Sequence, residues 1–213
     1  MAQRRTFIDS LESFNRKERF FLVGWALGNR SFRASRSFLR SISTLLGIQI
    51  PSDAFVAMDY HLDWLYASAF LSSAKDGGTD VHSNRSGLIA GNQEDVDLLI
   101  AYRRGRVNHV VMIEAKGATG WTNKQALSKA TRMVGIFGRD GKRWPSIRPH
   151  YALASPRAPQ QLDLRAWPAW MKRPDGNPYW IEMPMPDGLE KTTRCDKNGR
   201  SDATGGFWTT DKT

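Results

Sequence analysis

The feature that most constrains the fold of this chain is a pair of apolar, β-branched segments separated by a short basic turn. Residues 96–102 read Val-Asp-Leu-Leu-Ile-Ala-Tyr, and residues 107–115 read Val-Asn-His-Val-Val-Met-Ile-Glu-Ala. Residues 103–106 between them read Arg-Arg-Gly-Arg, which suits a tight turn. Apolar runs on either side of such a turn are typical of buried strands. The sequence therefore predicts an antiparallel β-hairpin over residues 96–115.

The rest of the chain alternates between helical and extended patterns. Apolar residues at intervals of three and four predict helices over residues 11–27, 31–46, about 54–72 and 121–137. Short apolar runs predict further strands at residues 87–91, 150–155 and 179–183, and a terminal hairpin through Arg194-Cys195 and Phe207-Trp208. This order predicts an α/β protein whose mixed β-sheet is flanked by helices and preceded by an N-terminal helical extension.

The composition limits both the class of protein and its location. Of the 213 residues 40% are hydrophobic, which is enough for a folded core, and we expect one compact domain. Within it we expect a basic helical extension over residues 1–52, a core over 53–186 and a polar tail or hairpin over 187–213. No apolar run reaches the length of a membrane span and the N-terminus lacks a signal-peptide pattern. We therefore expect a cytoplasmic protein with no membrane partner.

Several function classes are disfavoured by the absence of their sequence patterns. The chain has one cysteine, Cys195, which excludes an internal disulfide and a Cys-rich zinc cluster. It contains no phosphate-binding loop and no dinucleotide fingerprint, so ATP and NAD chemistry are disfavoured. What remains has to be argued from charge and from acidic residues on strands.

The charge of the chain points to a polyanionic partner. Lys and Arg number 31 against 21 Asp and Glu, a net charge of +10, and nine basic against three acidic residues lie in the first fifty positions. Nucleic acid is the partner we expect first. Arg30, Arg33, Arg36 and Arg40 follow one another at helical spacing, which would place them along one face of the helix expected at 31–46. Such a stripe fits either a solvated helix face or a surface that follows phosphates.

The expected hairpin carries charged residues where its strands end. Asp97 begins the apolar run of the first strand, and Glu114 and Lys116 end the second. Because strand side chains alternate between faces, Glu114 and Lys116 point the same way and Ala115 points the other way. A strand out, a turn and a strand back bring both carboxylates to one end of the hairpin. Carboxylates beside apolar strands need a partner, and a hard cation is one that suits them.

This pattern resembles the restriction-endonuclease-like superfamily, which is named for its PD-(D/E)XK motif. The motif is written here as Val96-Asp97 followed by Glu114-Ala115-Lys116, within an order of helix, strand, hairpin, helix and strand over roughly residues 54–155. The resemblance implies the α-β-β-β-α-β core of that superfamily. Val96 stands in the place of the proline, and the nearby Glu94 and Asp95 leave the register open; Asp97 is preferred because it directly enters Leu98-Leu99-Ile100.

The resemblance also implies a set of site residues. Asp97, Glu114 and the carbonyl of Ala115 would bind Mg²⁺, with Mn²⁺ able to substitute, and Lys116 would orient or activate the attacking water. Family members often add a carboxylate from the preceding helix, and we expect Asp59 in that role. The alternatives are Asp63 as the ligand, or a salt-bridged or capping acid with no metal.

The helix expected after Lys116 supplies further candidates. Gln125 would touch the metal site or the substrate, as it does in some family members, or be an ordinary solvent-facing amide. Lys124 and Lys129 would contact nucleic acid or simply keep the helix soluble.

Taken with the resemblance, these residues predict a metal-dependent nuclease that hydrolyses phosphodiester bonds; we expect DNA as the substrate ahead of RNA, a choice that the sequence itself leaves open. A homodimer would suit a double-strand break, which needs two sites, although no dimer seam is visible in the sequence. The alternative is a nucleic-acid-binding or partner-binding protein that keeps the fold without turnover.

Overall fold

A computed structural model describes residues 5–14, 18–28, 32–73, 81–91, 94–117 and 120–212. The helices, numbered in chain order, are α1 Phe7–Phe14, α2 Glu18–Ala26, α3 Arg36–Leu46, α4 Leu62–Ser73 and α5 Asn123–Phe137. The strands are β1 Phe55–His61, β2 Asp95–Arg104, β3 Val107–Ala115, β4 Ile147–Ser155, β5 Trp180–Glu182, β6 Glu190–Cys195 and β7 Phe207–Lys212. None of the described helices is long and apolar enough to cross a membrane.

The main sheet has five strands in the order β1-β2-β3-β4-β5. The first three strands pair antiparallel, and β4 and β5 pair parallel to β3 and β4 respectively. The α/β class with a mixed sheet flanked by helices is confirmed. The β2–β3 hairpin, the strand at β4, the strand at β5 and the terminal β6–β7 hairpin are confirmed as well.

Helices cover both faces of this sheet, and each face has its own apolar core. Helices α1, α4 and α5 pack on the face that carries Leu99, Met112 and Leu153, which we call the α5 face. Helix α3 packs on the opposite face, here called the α3 face, through Leu39 and Ile42. Helices α1 and α3 are therefore built into the two cores rather than appended to them.

The helix predicted over 54–72 is wrong over its first eight residues, 54–61. Residues Phe55–His61 form β1, an antiparallel edge partner of β2, and only Leu62–Ser73 are helical. The apolar spacing of this segment fits a helix, but aromatic and β-branched residues also suit a strand, and pairing with β2 decides in favour of the strand. The strand predicted at residues 87–91 is also wrong, because this segment is neither helix nor strand.

The first two predicted helices have different bounds in the structure. The segment predicted as one helix over 11–27 overlaps α1, which begins earlier at Phe7, and includes α2; residues 15–17 between them lie outside the described residues. The helix predicted over 31–46 begins only at Arg36, because Ser35 adopts an extended conformation and its hydroxyl caps the N–H of Phe38. Helix α5 matches its prediction closely and is capped by Thr122.

Candidate active site

Asp97 and Glu114 face each other across the β2–β3 hairpin, at the end away from the turn. The last paired residues of β2 and β3 at this end are Leu98 and Ile113. Continuing the register by one step places Asp97 opposite Glu114. Directly opposed residues of an antiparallel pair lie on the same face of the sheet. The carboxylate of Asp97 accepts a hydrogen bond from the backbone N–H of Ala115 at 2.6 Å. The hairpin therefore brings the two predicted acids together.

A cavity of about 220 Å³ opens beside Glu114 on the α5 face. Its polar lining includes Glu94, Glu114, Lys116, Gln125 and Lys129. Its apolar walls are formed by aromatic and aliphatic side chains, namely Trp121, Ala126, Tyr151, Leu153 and Trp167. Four residues singled out from the sequence, one acid, two lysines and one glutamine, thus share a single cavity.

Lys116 reaches this cavity because its backbone continues the sheet beyond β3. The N–H of Lys116 donates to the carbonyl of Ala154 at 2.9 Å, which keeps the extended conformation for one more residue. The side chain of Lys116 consequently points to the same face as Glu114, while Ala115 is exposed on the other side. Gln125 reaches the cavity from the first turn of α5, where its backbone N–H is capped by Thr122.

Glu114 is a buried carboxylate with an internal cation beside it. Its side chain is 14% exposed, and its Oε1 lies 2.8 Å from the Nζ of Lys129 on α5. Burial raises the pKa of Glu114 to about 7, against the attraction of Lys129 and with added repulsion from Asp97 and Asp95. Oε1 is shielded from solvent, and its ionic contact with Lys129 lies outside hydrogen-bond geometry.

Lys129 is held between two elements of the site. Its ammonium donates to the backbone carbonyl of Asp95 as well as contacting Glu114. A lysine fixed in this way belongs to the interior of the site, so the structure does not present it as a surface contact for nucleic acid. Lys124, one turn earlier on α5, is exposed.

Asp59 does not lie on a helix, and the reasoning that made it a helix-borne ligand is wrong. It belongs to β1, where the register with β2 places it opposite Asp97. Its φ of +43° is strained for a residue with a side chain, and it interrupts the alternation of β1. Neither Asp59 nor Asp97 is among the residues that line the cavity, and of the two only Asp97 lies opposite Glu114 across the hairpin. The second acid that lines the cavity, beside Glu114, is Glu94, which sequence reasoning treated only as a neighbour of Asp97.

Asp63 is engaged in a structural role. Its carboxylate accepts the backbone N–H groups of Ala90 at 3.1 Å and Gly91 at 2.8 Å and pairs with the guanidinium of Arg132. Arg132 in turn donates to the carbonyl of Leu88 at 2.6 Å. These bonds tie the loop of residues 81–91 to α4 and α5, which matches the interpretation of Asp63 as a salt-bridged acid.

Replacing Asp63 with Ala is expected to lower the free energy of unfolding by about 3 kcal/mol, because it removes the closer of the two carboxylates beside the nearly buried Arg132, leaving only Glu94 at 3.9 Å, and frees two backbone N–H groups. Urea unfolding measures this loss, and hydrogen exchange at Ala90 and Gly91 should accelerate. The control is Asp53→Ala in an exposed turn. Equal stability losses in both variants would contradict the assignment of Asp63 as the loop anchor.

The arginines predicted as a stripe are separated by the structure. Arg30 lies outside the described residues, and Arg33 precedes α3 rather than lying on it. Arg36 and Arg40 are exposed on α3, four residues apart and hence on one side of the helix. Both lie on the α3 face, opposite the face that carries Glu114. The four-residue helical stripe is therefore wrong, and two of its members form a pair.

The donor set beside Glu114 suits a hard divalent cation in its chemistry. Carboxylate oxygens of Asp97 and Glu114 and the carbonyl oxygen of Ala115 are ligands that Mg²⁺ takes. Oε1 of Glu114, a buried oxygen that accepts no hydrogen bond in the described structure, is compatible with such a ligand role. Within the described part of the chain, no three His, Cys, Asp or Glu side chains already gather in a metal-binding arrangement. The ammonium of Lys129 supplies the positive charge next to Glu114.

The fold and cavity define an α/β protein with an acid, lysine and glutamine cluster at the end of its central hairpin. Comparisons with protein-family models, with curated proteins and with solved structures found no match to this chain. What the cluster does therefore has to be argued from its own chemistry.

Proposed function

We propose that this protein is a divalent-cation-dependent nuclease that hydrolyses phosphodiester bonds, in DNA rather than RNA. The observation that carries the proposal is the position of Glu114 and Lys116 in one cavity, with Asp97 opposite Glu114 across the hairpin. Two carboxylates with an ammonium beside them combine cation binding with a group able to assist a water nucleophile. The net charge of +10 favours a polyanionic substrate.

The order of elements around the cavity supports the same proposal. Counting α4 as an insertion between β1 and β2, the order α3-β1-β2-β3-α5-β4 is similar to the α-β-β-β-α-β core of the restriction-endonuclease-like superfamily. In this comparison β2 fills the second β position of the superfamily core. The first β position is filled by β1 and not by residues 87–91, where the sequence predicted a strand. The likeness in element order is what links this sheet to the PD-(D/E)XK pattern.

In the proposed reaction, each residue has a role set by its position. A divalent cation bound by Asp97, Glu114 and the Ala115 carbonyl would polarise the phosphate and lower the pKa of a bound water. Lys116 holds the attacking water from the same face as Glu114, through its charge or as a proton acceptor. Gln125 lies at the entrance of the cavity, where its amide can donate to a phosphate oxygen. Lys129 keeps Glu114 oriented toward the cavity.

The alternative is a nucleic-acid-binding protein of the same fold without turnover. The observation that favours it is the ion pair between Glu114 and Lys129, in which an internal ammonium occupies one side of the carboxylate. If that pair is permanent, Glu114 binds a divalent cation only weakly, and the protein binds nucleic acid without cleaving it.

The test is a panel of end-labelled single- and double-stranded DNA and RNA, incubated with Mg²⁺, with Mn²⁺ or with EDTA. The proposal expects cleavage of DNA with either cation and none with EDTA, leaving 5′ phosphates. Retention of labelled DNA without cleavage under every condition would instead establish the alternative. Cleavage that persists in EDTA would contradict the role given to the cation.

A further inference from the structure

Two adjoining grooves run along α3 on the α3 face of the sheet. One has a volume of about 560 Å³ and is lined by Arg40 and Arg104, and the other has about 500 Å³ and is lined by Arg36 and Arg40. They share Arg40 and Ser43 and so form one continuous depression, which we call the arginine trough. Its remaining lining is apolar or uncharged, and no acidic residue contributes to it.

The three arginines of the trough have no counter-ion within the described part of the protein. No carboxylate lies within 4.0 Å of Arg36, Arg40 or Arg104 in the ranges that the structure covers. By contrast, Arg132 on the opposite side of the sheet is paired with Asp63. Like charges that converge without an acid repel one another, and an external anion relieves that repulsion.

Positive charge continues from the trough along the sheet. Tyr102, His109 and His150 stack face to face across β2, β3 and β4, with ring centroids 4.9 and 5.3 Å apart. Burial, and after it the positive charges of Arg104 and Arg148, lower the pKa of His109. Arg148 is the β4 partner of His109 and therefore lies on the same face of the sheet, so it adds a positive charge to this face beyond α3.

The trough is a different place from the cavity that holds Glu114. It lies on the opposite face of the sheet, and Arg104 stands seven residues along β2 from Asp97, a distance of about 23 Å. One phosphate group cannot touch both. A ligand that engages the trough and the cavity together has to be an extended chain of phosphates.

We infer that the arginine trough binds the phosphodiester backbone of a nucleic acid at a second site, separate from the cavity. The inference rests on the proposed function only for the class of ligand and does not require cleavage. Arginine is suited to this role because its planar fork pairs with two phosphate oxygens at once. Contacts of this kind are independent of base sequence and weaken steeply as salt rises.

The test measures binding of a fluorescein-labelled 30-base-pair duplex by anisotropy in EDTA, over a range of salt concentrations. Arg40→Gln/Arg104→Gln should weaken binding at least tenfold at low salt and reduce the slope of log K against log salt by about 2, one for each lost phosphate contact. Arg40→Lys/Arg104→Lys should keep most of the slope because it keeps the charge. The matched control is Arg85→Gln/Lys142→Gln, which removes two exposed charges away from the trough.

Two further arms separate the possible outcomes. If millimolar inorganic phosphate displaces the duplex from wild type as effectively as unlabelled duplex does, the trough is an isolated anion site and the inference is overturned. Equal binding and equal salt slopes in the trough variant and its control would overturn it too. Failure of wild type to cleave any substrate would count against the nuclease proposal alone, because the anisotropy measurement contains no cation.

Discussion

Lys116→Ala is expected to lower cation-dependent cleavage of DNA by about a hundredfold to ten-thousandfold, the usual range for loss of a group that assists a water nucleophile. The side chain lines the same cavity as Glu114, and its direction is fixed by the backbone bond from its N–H to Ala154. The substitution removes an ammonium without disturbing that bond. Affinity for the uncleaved duplex in EDTA should change less than threefold, because the arginine trough is untouched.

Lys124→Ala is the matched control for this experiment. Lys124 is the same residue type, lies on the first turn of α5 close to the cavity, and is exposed rather than lining it. Its loss should leave single-turnover cleavage within a factor of about three of wild type. Equal losses in both variants would show that general positive charge near α5, rather than a placed ammonium, accounts for the effect.

Lys116→Arg distinguishes the two roles proposed for this residue, which are action through its positive charge and acceptance of a proton from water. Arginine keeps the positive charge but does not release its proton in proteins. Cleavage that survives in the arginine variant indicates that Lys116 acts through its charge. Cleavage that is lost as completely as in Lys116→Ala indicates that Lys116 accepts a proton. The pH dependence of single-turnover rates in wild type checks the same point independently.

The hairpin and the residues at its open end could be predicted because the signals for them are local. Alternation fixes Glu114 and Lys116 on one face whatever the rest of the chain does, and the short turn fixes Asp97 at the same end. Helix α5 could be predicted for a similar reason, since Thr122 and Gly138 mark its ends.

Residues 55–61 could not be assigned from the sequence because their conformation is decided by a partner. Phe55, Met58 and Leu62 fit a helical stripe, yet the backbone groups of this segment pair with β2. The apolar spacing therefore predicted one continuous helix where the structure has a strand followed by a helix. The positive φ of Asp59 is a further feature with no sequence signal, because only a few per cent of non-glycine residues adopt it and nothing in the sequence marks this one among the other aspartates.

The contacts between elements that are distant in the sequence could not be predicted from it either. The ion pair of Lys129 with Glu114 depends on how α5 crosses the sheet, and helical periodicity tells which side of a helix is apolar but not which face of the sheet it covers. The same limit applies to Arg40, whose helix lies on the α3 face. Charge counting indicated a basic segment without showing that it faces away from the acids.

Glu114→Gln is expected to abolish cleavage and at the same time to stabilise the fold at alkaline pH. Loss of one carboxylate ligand should lower cation-dependent cleavage at least about a hundredfold. In metal-free buffer with EDTA, however, wild type has to keep a buried carboxylate ionised. Because burial raises the folded-state pKa of Glu114 from 4.5 to about 7, its ionised form costs stability above pH 7, and the cost disappears as the pH falls to about 4.5.

The neutral glutamine avoids that cost, so the variant should exceed wild type by about 3 kcal/mol in free energy of unfolding at pH 8 and by less than about 0.5 kcal/mol at pH 4.5. Urea unfolding at the two pH values measures both differences. Glu182→Gln, on the exposed edge of β5, should show no such change with pH. An equal gain in free energy of unfolding at both pH values would mean that the charge of Glu114 does not destabilise the fold. If Glu114→Gln stabilises the fold and removes cleavage, then wild type keeps a carboxylate that lowers its stability because cleavage requires it.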